Sequence, residues 1–395
     1  MTRNALYIQS GGPTAVINAS AYGVIEECRC HRDEISTLYA ARYGTIGVLN
    51  DELIDTAHLG QKDLALFAQT PSMFFGSCRY HMMDPQVDER DYRRYYEVLK
   101  KHNIGYLFFN GGNGTLASSI KIEQYLKTKQ YDCKVMVIPK TVDNDIEGID
   151  HSPGYPSSAR HVIVTVSELA HDIRCYDTGI IAVVEVMGRD TGWLAAASLA
   201  ACENGNGPDL IYVPEVEFDL TRFLQDVREV IKRQKKCLIV VAEGIKNCQG
   251  RYVFEQLPQN VGDPALNMGG VAICLASFLR QHFDCKVRGV DLGLMQRCGA
   301  HTAVPMDVQE AIALSRRAVQ EALKGVSAKM VSAVRHNKTS ADFVETLVDL
   351  ERAQQGGHPL PKRFITENGS FIRREFLEYL LPLVGTLPQY ASPCL

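Results

Sequence analysis

The chain carries one tryptophan in 395 residues, no excess of basic charge and no long apolar run, and the last two shortages exclude whole classes of partner. With 42 Lys+Arg against 46 Asp+Glu the net charge is −4, which offers no long-range attraction to nucleic acid or an acidic membrane. Any anionic ligand must therefore be held by local charges. No stretch approaches the ~18 apolar residues of a membrane span, and MTRNALYIQSGG reaches glycine before a signal-peptide core could form. The expectation is a soluble, untargeted, cytoplasmic protein. Twelve cysteines occur without one Cys-x-x-Cys pair. Cys28-x-Cys30 is the nearest approach, and no second Cys or His pair completes four ligands, so the cysteines read as reduced thiols. Neither G-x-x-x-x-G-K-[ST] nor a strand followed by G-x-G-x-x-G is present, which removes the P-loop and Rossmann fingerprints.

What is there is globular composition, 46% hydrophobic and 22% charged, and at roughly 150 residues per domain the length predicts two domains. Runs such as ALYIQ (5–9), IGYLFFN (104–110), KVMVI (134–138), IIAVVEV (180–186), DLIYV (209–213) and CLIVVAE (237–243) are continuously apolar. Strands of that kind belong to parallel sheets covered on both faces. Between them lie helical patterns. TLASSIKIEQYLK (115–127) sets Leu116, Ile120 and Leu126 near one face, and LTRFLQDVREVIKRQ (220–234) repeats Leu220, Phe223, Leu224, Val227, Val230 and Ile231 at a period near 3.6. The class is α/β, with mainly parallel sheets flanked by helices. The polar stretch 246–264 reads as a loop or insertion, and the tail after about residue 340 as an accessory helical element without a motif.

In open parallel sheets ligands sit beyond the carboxyl ends of strands. Three clusters follow strands here. SGGPTAVIN (10–18) offers adjacent glycines before a helix. NGGNGT (110–115) sets three glycines in five residues at a strand-to-helix junction, a pattern suited to cradling phosphate. PKTVDNDIEG (139–148) gathers Lys140, Thr141, Asp143 and Asp145, a cation, a hydroxyl and two carboxylates. Phosphoryl transfer needs such a set: a base for the attacking hydroxyl, oxygen ligands for Mg²⁺, and positive charge on the transferred group. Read alone, the same segment is an Asx turn capped by its own side chains.

Together SGG (10–12), GSCR (76–79), GGNGT (111–115), TVDND (141–145), EVMGR (185–189), AEG (242–244) and Arg288 with LGLMQR (292–297) resemble the phosphofructokinase family, in order and spacing, across about 300 of the 395 residues. The resemblance implies transfer of a terminal phosphoryl group to the 1-hydroxyl of fructose 6-phosphate. It implies Asp143 as general base, and Arg79, Arg189, Thr141 and Lys140 on the transferring group. Gly11, Gly12, Arg79, Tyr80, Gly112, Asn113, Gly114 and Thr115 would bind the donor. Thr141, Asp143, Met187, Gly188, Arg189, Glu243, Arg288 and Arg297 would bind the sugar phosphate, and Asn113 and Asp145 would hold Mg²⁺. The implied architecture is a donor domain over 1–150 plus about 297–340, a sugar-phosphate domain over 151–296, and accessory helices over 341–395, in a homodimer or homotetramer.

Some positions depart from the family pattern. Asn113 replaces the aspartate common in ATP-using members, Leu294 a histidine for the sugar phosphate, and Ile180 an arginine that reaches a neighbouring subunit. Lys140 and SGGPT resemble the pyrophosphate-using branch. Gly114 points the other way, because that branch resembles an aspartate there, filling the space of the ATP α-phosphate. A glycine leaves room for a nucleotide, so the expected donor is ATP, with pyrophosphate as the alternative. GGNGT also resembles the GGDGT loop of NAD and diacylglycerol kinases, and the departures leave a further alternative, a non-catalytic paralogue that binds sugar phosphate.

Overall fold

The computed structural model describes residues 2–256, 270–337 and 339–391. All six continuously apolar runs become strands. The first sheet has the order β11-β10-β5-β4-β1-β2-β3, with β1 (Arg3–Gln9), β2 (Ile35–Ala41), β3 (Leu53–Asp55), β4 (Ile104–Gly111), β5 (Lys134–Pro139), β10 (Lys329–Val334) and β11 (Val344–Asp349). Its interior pairs are parallel, and only the edges β3 and β11 run antiparallel to their neighbours. The second sheet, β7-β8-β6-β9, is wholly parallel, with β6 (Ile180–Val186), β7 (Leu210–Tyr212), β8 (Lys236–Ala242) and β9 (Lys286–Asp291).

Alternation along each strand divides the interior. Leu6, Ile8, Leu107, Phe109, Val135 and Val137 fill one face of the first sheet, and Ala5, Tyr7, Phe108, Met136 and Ile138 fill the other. The second sheet repeats this, with Ala182, Val184, Leu238 and Val240 on one side and Ile181, Val183, Ile239 and Val241 on the other. Helices cover both faces, which is why the strands carry no polar alternation. The helix Leu220–Gln234 buries Phe223, Leu224, Val227 and Val230, leaving Leu220 and Ile231 half-buried at its margin. Asp219 caps it, its carboxylate accepting from the Arg222 N–H at 2.7 Å. The result is a two-domain α/β fold.

The tail differs from its sequence pattern. It opens with a strand, because β11 completes the first sheet on β10 in register Lys329↔Asp349 to Val334↔Val344. Only then does it pack Phe376, Leu377, Leu380, Leu383 and Val384 of the helix Phe376–Val384 into the second core. Of the stretch 246–264, Lys246 and Tyr252 pair as a short antiparallel bridge, and 257–264 lies outside the described residues. The described cysteines are free thiols, and no helix among the described residues is long and apolar enough to cross a membrane.

Candidate active site

The three clusters meet because β1, β4 and β5 are parallel neighbours ending at one edge. After β1, Gly11 takes φ +81°, a conformation glycine adopts without strain, and its carbonyl accepts from Ser77 Oγ at 2.8 Å. Lys140, leaving β5, is buried at 3% exposure and its Nζ donates to the Gly12 carbonyl at 2.5 Å. Burial pushes this amine down to about 8, against the pull of Asp143 and Asp145. At Gly12 a Cβ would stand 3.2 Å from the Arg297 guanidinium, so this arginine lies close against the loop backbone. Gly11, Gly12, Pro13, Ser77, Cys78, Arg79 and Arg297 line a cavity of about 200 Å³. Desolvation and the nearby Arg79 both lower the proton affinity of Arg297, and its Nε is buried without a partner. Two like charges lining one small space favour an anion there.

After β4, Gly112 precedes the helix Asn113–Thr128, which has no acidic residue in its first turn. Its N–H groups and positive dipole end are thus available to a negative ligand. Gly111 has no room for a side chain, because a Cβ would sit 2.0 Å from Thr115 Oγ1.

After β5, the turn 141–145 carries the carboxylates. Thr141 Oγ1 accepts from the Asp143 N–H at 3.1 Å, and Thr191 Oγ1 donates to the Asp143 carbonyl at 2.7 Å. Asp143 Oδ1 and Asp145 Oδ1 are shut off from solvent with no hydrogen-bond partner. Desolvation above all, then repulsion from Asp145 and Glu243, lifts the Asp143 carboxyl to about 7, although Lys140 and Arg189 pull it back. Asn113 Nδ2 donates to Asp145 Oδ2 at 2.8 Å. The Asn113 amide and the Asp145 carboxylate, one oxygen of which is buried without a partner, form an oxygen-bearing pair that fits a hard divalent cation.

The second sheet supplies the opposite wall. Gly188 follows β6 at φ +134°, and a Cβ there would meet the Thr191 carbonyl at 2.3 Å. Its N–H points at Glu243 Oε1, 3.4 Å away, and the Met187 N–H donates to Gln296 Oε1 at 3.0 Å. Arg189 is exposed beside this loop.

Tyr80 gives its hydroxyl proton to Asp91 at 2.7 Å, and Arg288 is exposed in the middle of β9, opposite Ala182. Leu294 is 61% exposed and Ile180 only 2%. Sequence reasoning missed Ser77, Thr191, Asn144 and Gln296. Ser77, Asn144 and Gln296 lie inside motifs, and Thr191 lies two residues beyond EVMGR.

The phosphofructokinase family model matches residues 4–322. The chain belongs to that family. It is 38% identical to the pyrophosphate–fructose 6-phosphate 1-phosphotransferase of Methylococcus capsulatus, over 99% of this chain and 96% of that one. The crystal structure of a pyrophosphate-dependent phosphofructokinase from Nitrosospira multiformis superposes with a TM-score of 0.87 at 35% identity, covering 99% of this chain and 94% of that one. The ATP-dependent 6-phosphofructokinase of Bacillus cytotoxicus is more distant, 26% identical over 86% of this chain and 92% of its own length.

These relatives overturn the expectation of ATP drawn from Gly114. A Cβ at Gly114 meets nothing within 4 Å, so the position is indeed open. Open space removes an obstacle to a nucleotide without supplying a surface that binds one.

Proposed function

We propose that this protein is a pyrophosphate-dependent fructose 6-phosphate 1-phosphotransferase, acting at the phosphofructokinase step of glycolysis. The observation that carries the reading is the cavity of about 200 Å³ between Arg79 and Arg297, with the Lys140 ammonium held beneath Gly12. Three cations around so small a space suit a diphosphate, and the names and near full-length similarity of the relatives support the same donor.

Asp143 is the base. Its orphaned carboxylate takes the proton of the sugar 1-hydroxyl as that oxygen attacks the terminal phosphorus. The bridging P–O bond breaks and orthophosphate leaves. Arg79, Arg189, Arg297, Lys140 and Thr141 meet the charge on the transferred and leaving groups; preorganised donors of this kind contribute about 2.7–4 kcal/mol each. Glu243, Met187, Gly188 and Arg297 would hold the sugar phosphate. Asp145 and Asn113 would hold Mg²⁺, which when bound neutralises phosphate charge. The active protein would be a homodimer or homotetramer.

The test is purified protein with Mg²⁺ and fructose 6-phosphate, following fructose 1,6-bisphosphate formation through an aldolase couple. Turnover with pyrophosphate is expected; its absence in folded protein would remove the proposal.

A further inference from the structure

The tail that bears no motif closes around the turn that bears the base. Asn144, between Asp143 and Asp145, is fully buried and left-handed at φ +53°. Asparagine enters that region more readily than most side-chain-bearing residues, and here it does so fully buried, held by its partners. Nearby, Asn144 Oδ1 accepts from the Ser152 N–H at 2.9 Å; its other partners come from far along the chain. The Asn144 carbonyl accepts from His358 Nδ1 at 2.9 Å, and Asn144 Nδ2 donates to the Tyr379 hydroxyl at 3.0 Å. Tyr379 passes its own proton to the Asp150 carbonyl at 2.9 Å, where the turn ends. The His358 N–H donates to the Asp145 carbonyl at 3.1 Å, and Gly357 forms an isolated antiparallel bridge with Ile146.

These bonds oppose a real tendency. Asp143 and Asp145 each keep a carboxylate oxygen buried and unpartnered, and such groups gain by swinging toward water. Thr191 alone would pin the Asp143 carbonyl. The tail adds the grip on the next two residues. Both of its contacts are themselves braced. Trp193 donates from Nε1 to the His358 carbonyl at 2.6 Å, with ring centroids 4.8 Å from His358 and 5.1 Å from Tyr379. The Arg335 guanidinium lies 4.9 Å over the Tyr379 ring and donates to its carbonyl at 3.1 Å.

We infer that His358 and Tyr379 are positioning residues that clamp the 143–145 turn, so that Asp143 and Asp145 face the cleft in reacting geometry. The inference rests on the reading of Asp143 as the base.

The experiment compares Tyr379→Phe, His358→Ala, His358→Asn and Leu380→Ala with the wild type and Asp143→Asn, using pyrophosphate, Mg²⁺ and fructose 6-phosphate. A misplacement near 1 Å costs up to about 100-fold in rate, so Tyr379→Phe and His358→Ala should lose roughly 10- to 100-fold in kcat while KM for fructose 6-phosphate stays within about twofold. His358→Asn, which keeps a donor for the Asn144 carbonyl, should recover much of that loss. Leu380→Ala, a fully buried apolar position on the same helix that forms no side-chain hydrogen bond to the turn, should lower the melting temperature and leave kcat unchanged. Fluorescence of the sole tryptophan, Trp193, shows whether each variant keeps its packing; if Tyr379→Phe fails to fold, the His358 pair decides. Wild-type kcat in Tyr379→Phe and His358→Ala, beside a dead Asp143→Asn, would overturn the clamp and spare the base. Equal kcat losses in Leu380→Ala would reduce the tail to general stability. An active Asp143→Asn, or an inactive wild type, would overturn both readings.

Discussion

Replacing Asp143 by asparagine should stabilise the protein while abolishing turnover, and the size of the effect follows from the site. The Asp143 carboxyl rises from 3.8 to about 7, chiefly through desolvation and then through Asp145 and Glu243. The neutral form is therefore favoured in the folded state, and ionisation costs stability. That cost is absent below the unfolded value of 3.8, grows as pH rises, and is complete above about 7. At roughly 1.4 kcal/mol per tenfold change in proton affinity, its ceiling is about 4 kcal/mol at pH 8, falling to less than half at pH 5. Asparagine keeps the shape and removes the charge. Melting temperature, measured with and without the substitution at pH 5 and pH 8, reads the difference. The variant should gain several degrees at pH 8 and far less at pH 5. A variant no more stable at pH 8, or one whose gain does not depend on pH, would refute the account of a carboxylate buried for chemistry at the expense of stability.

Other consequences can be checked with the same protein. Because Asp143 must be ionised and Lys140 protonated, kcat/KM should fall below about pH 7 and above about pH 8, the values to which burial moves them; a flat profile from pH 6 to 9 would contradict this. Lys140→Met should lower kcat/KM for pyrophosphate by about 100-fold or more, the scale of one lost charge-stabilising donor, without unfolding the protein. Gly188→Ala forces a Cβ against the Thr191 carbonyl at φ +134°, which should destabilise by roughly 1–3 kcal/mol and weaken sugar-phosphate binding, seen as lower melting temperature and higher KM. Gly114→Asp meets open space and should leave the fold intact and pyrophosphate turnover within about threefold; a tenfold loss would show that the open space is needed by the donor.

Sequence patterns made six strands legible because a doubly covered strand tends to be apolar throughout, but the interior strands β2 (ISTLYAA) and β10 (KMVSAV), interrupted by polar residues, were not among them. β1, β4, β5, β6, β7 and β8 announce themselves in this way. β9 (KVRGVD) and β11 (VETLVD) do not, because as edge strands they carry exposed charges that break the run. The glycine and acid clusters were legible for a similar reason: Gly11, Gly12, Gly111 and Gly188 sit where a Cβ would collide or strain, or where a lysine and an arginine crowd the backbone. The donor was not legible. Gly114 is one open position, whereas donor choice depends on the whole wall around the phosphates. Nor could His358 or Tyr379 be found, since their importance lies in reaching Asn144 from 214 and 235 residues away. Tyr80 and Arg288 show the converse, motif neighbours whose side chains face Asp91 and solvent.

The most direct test of the central claim is a side-by-side donor assay, with fructose 6-phosphate and Mg²⁺ fixed and pyrophosphate or ATP supplied in turn. The account predicts fructose 1,6-bisphosphate and one orthophosphate per turnover from pyrophosphate, with no comparable rate from ATP. Turnover from ATP alone would contradict it.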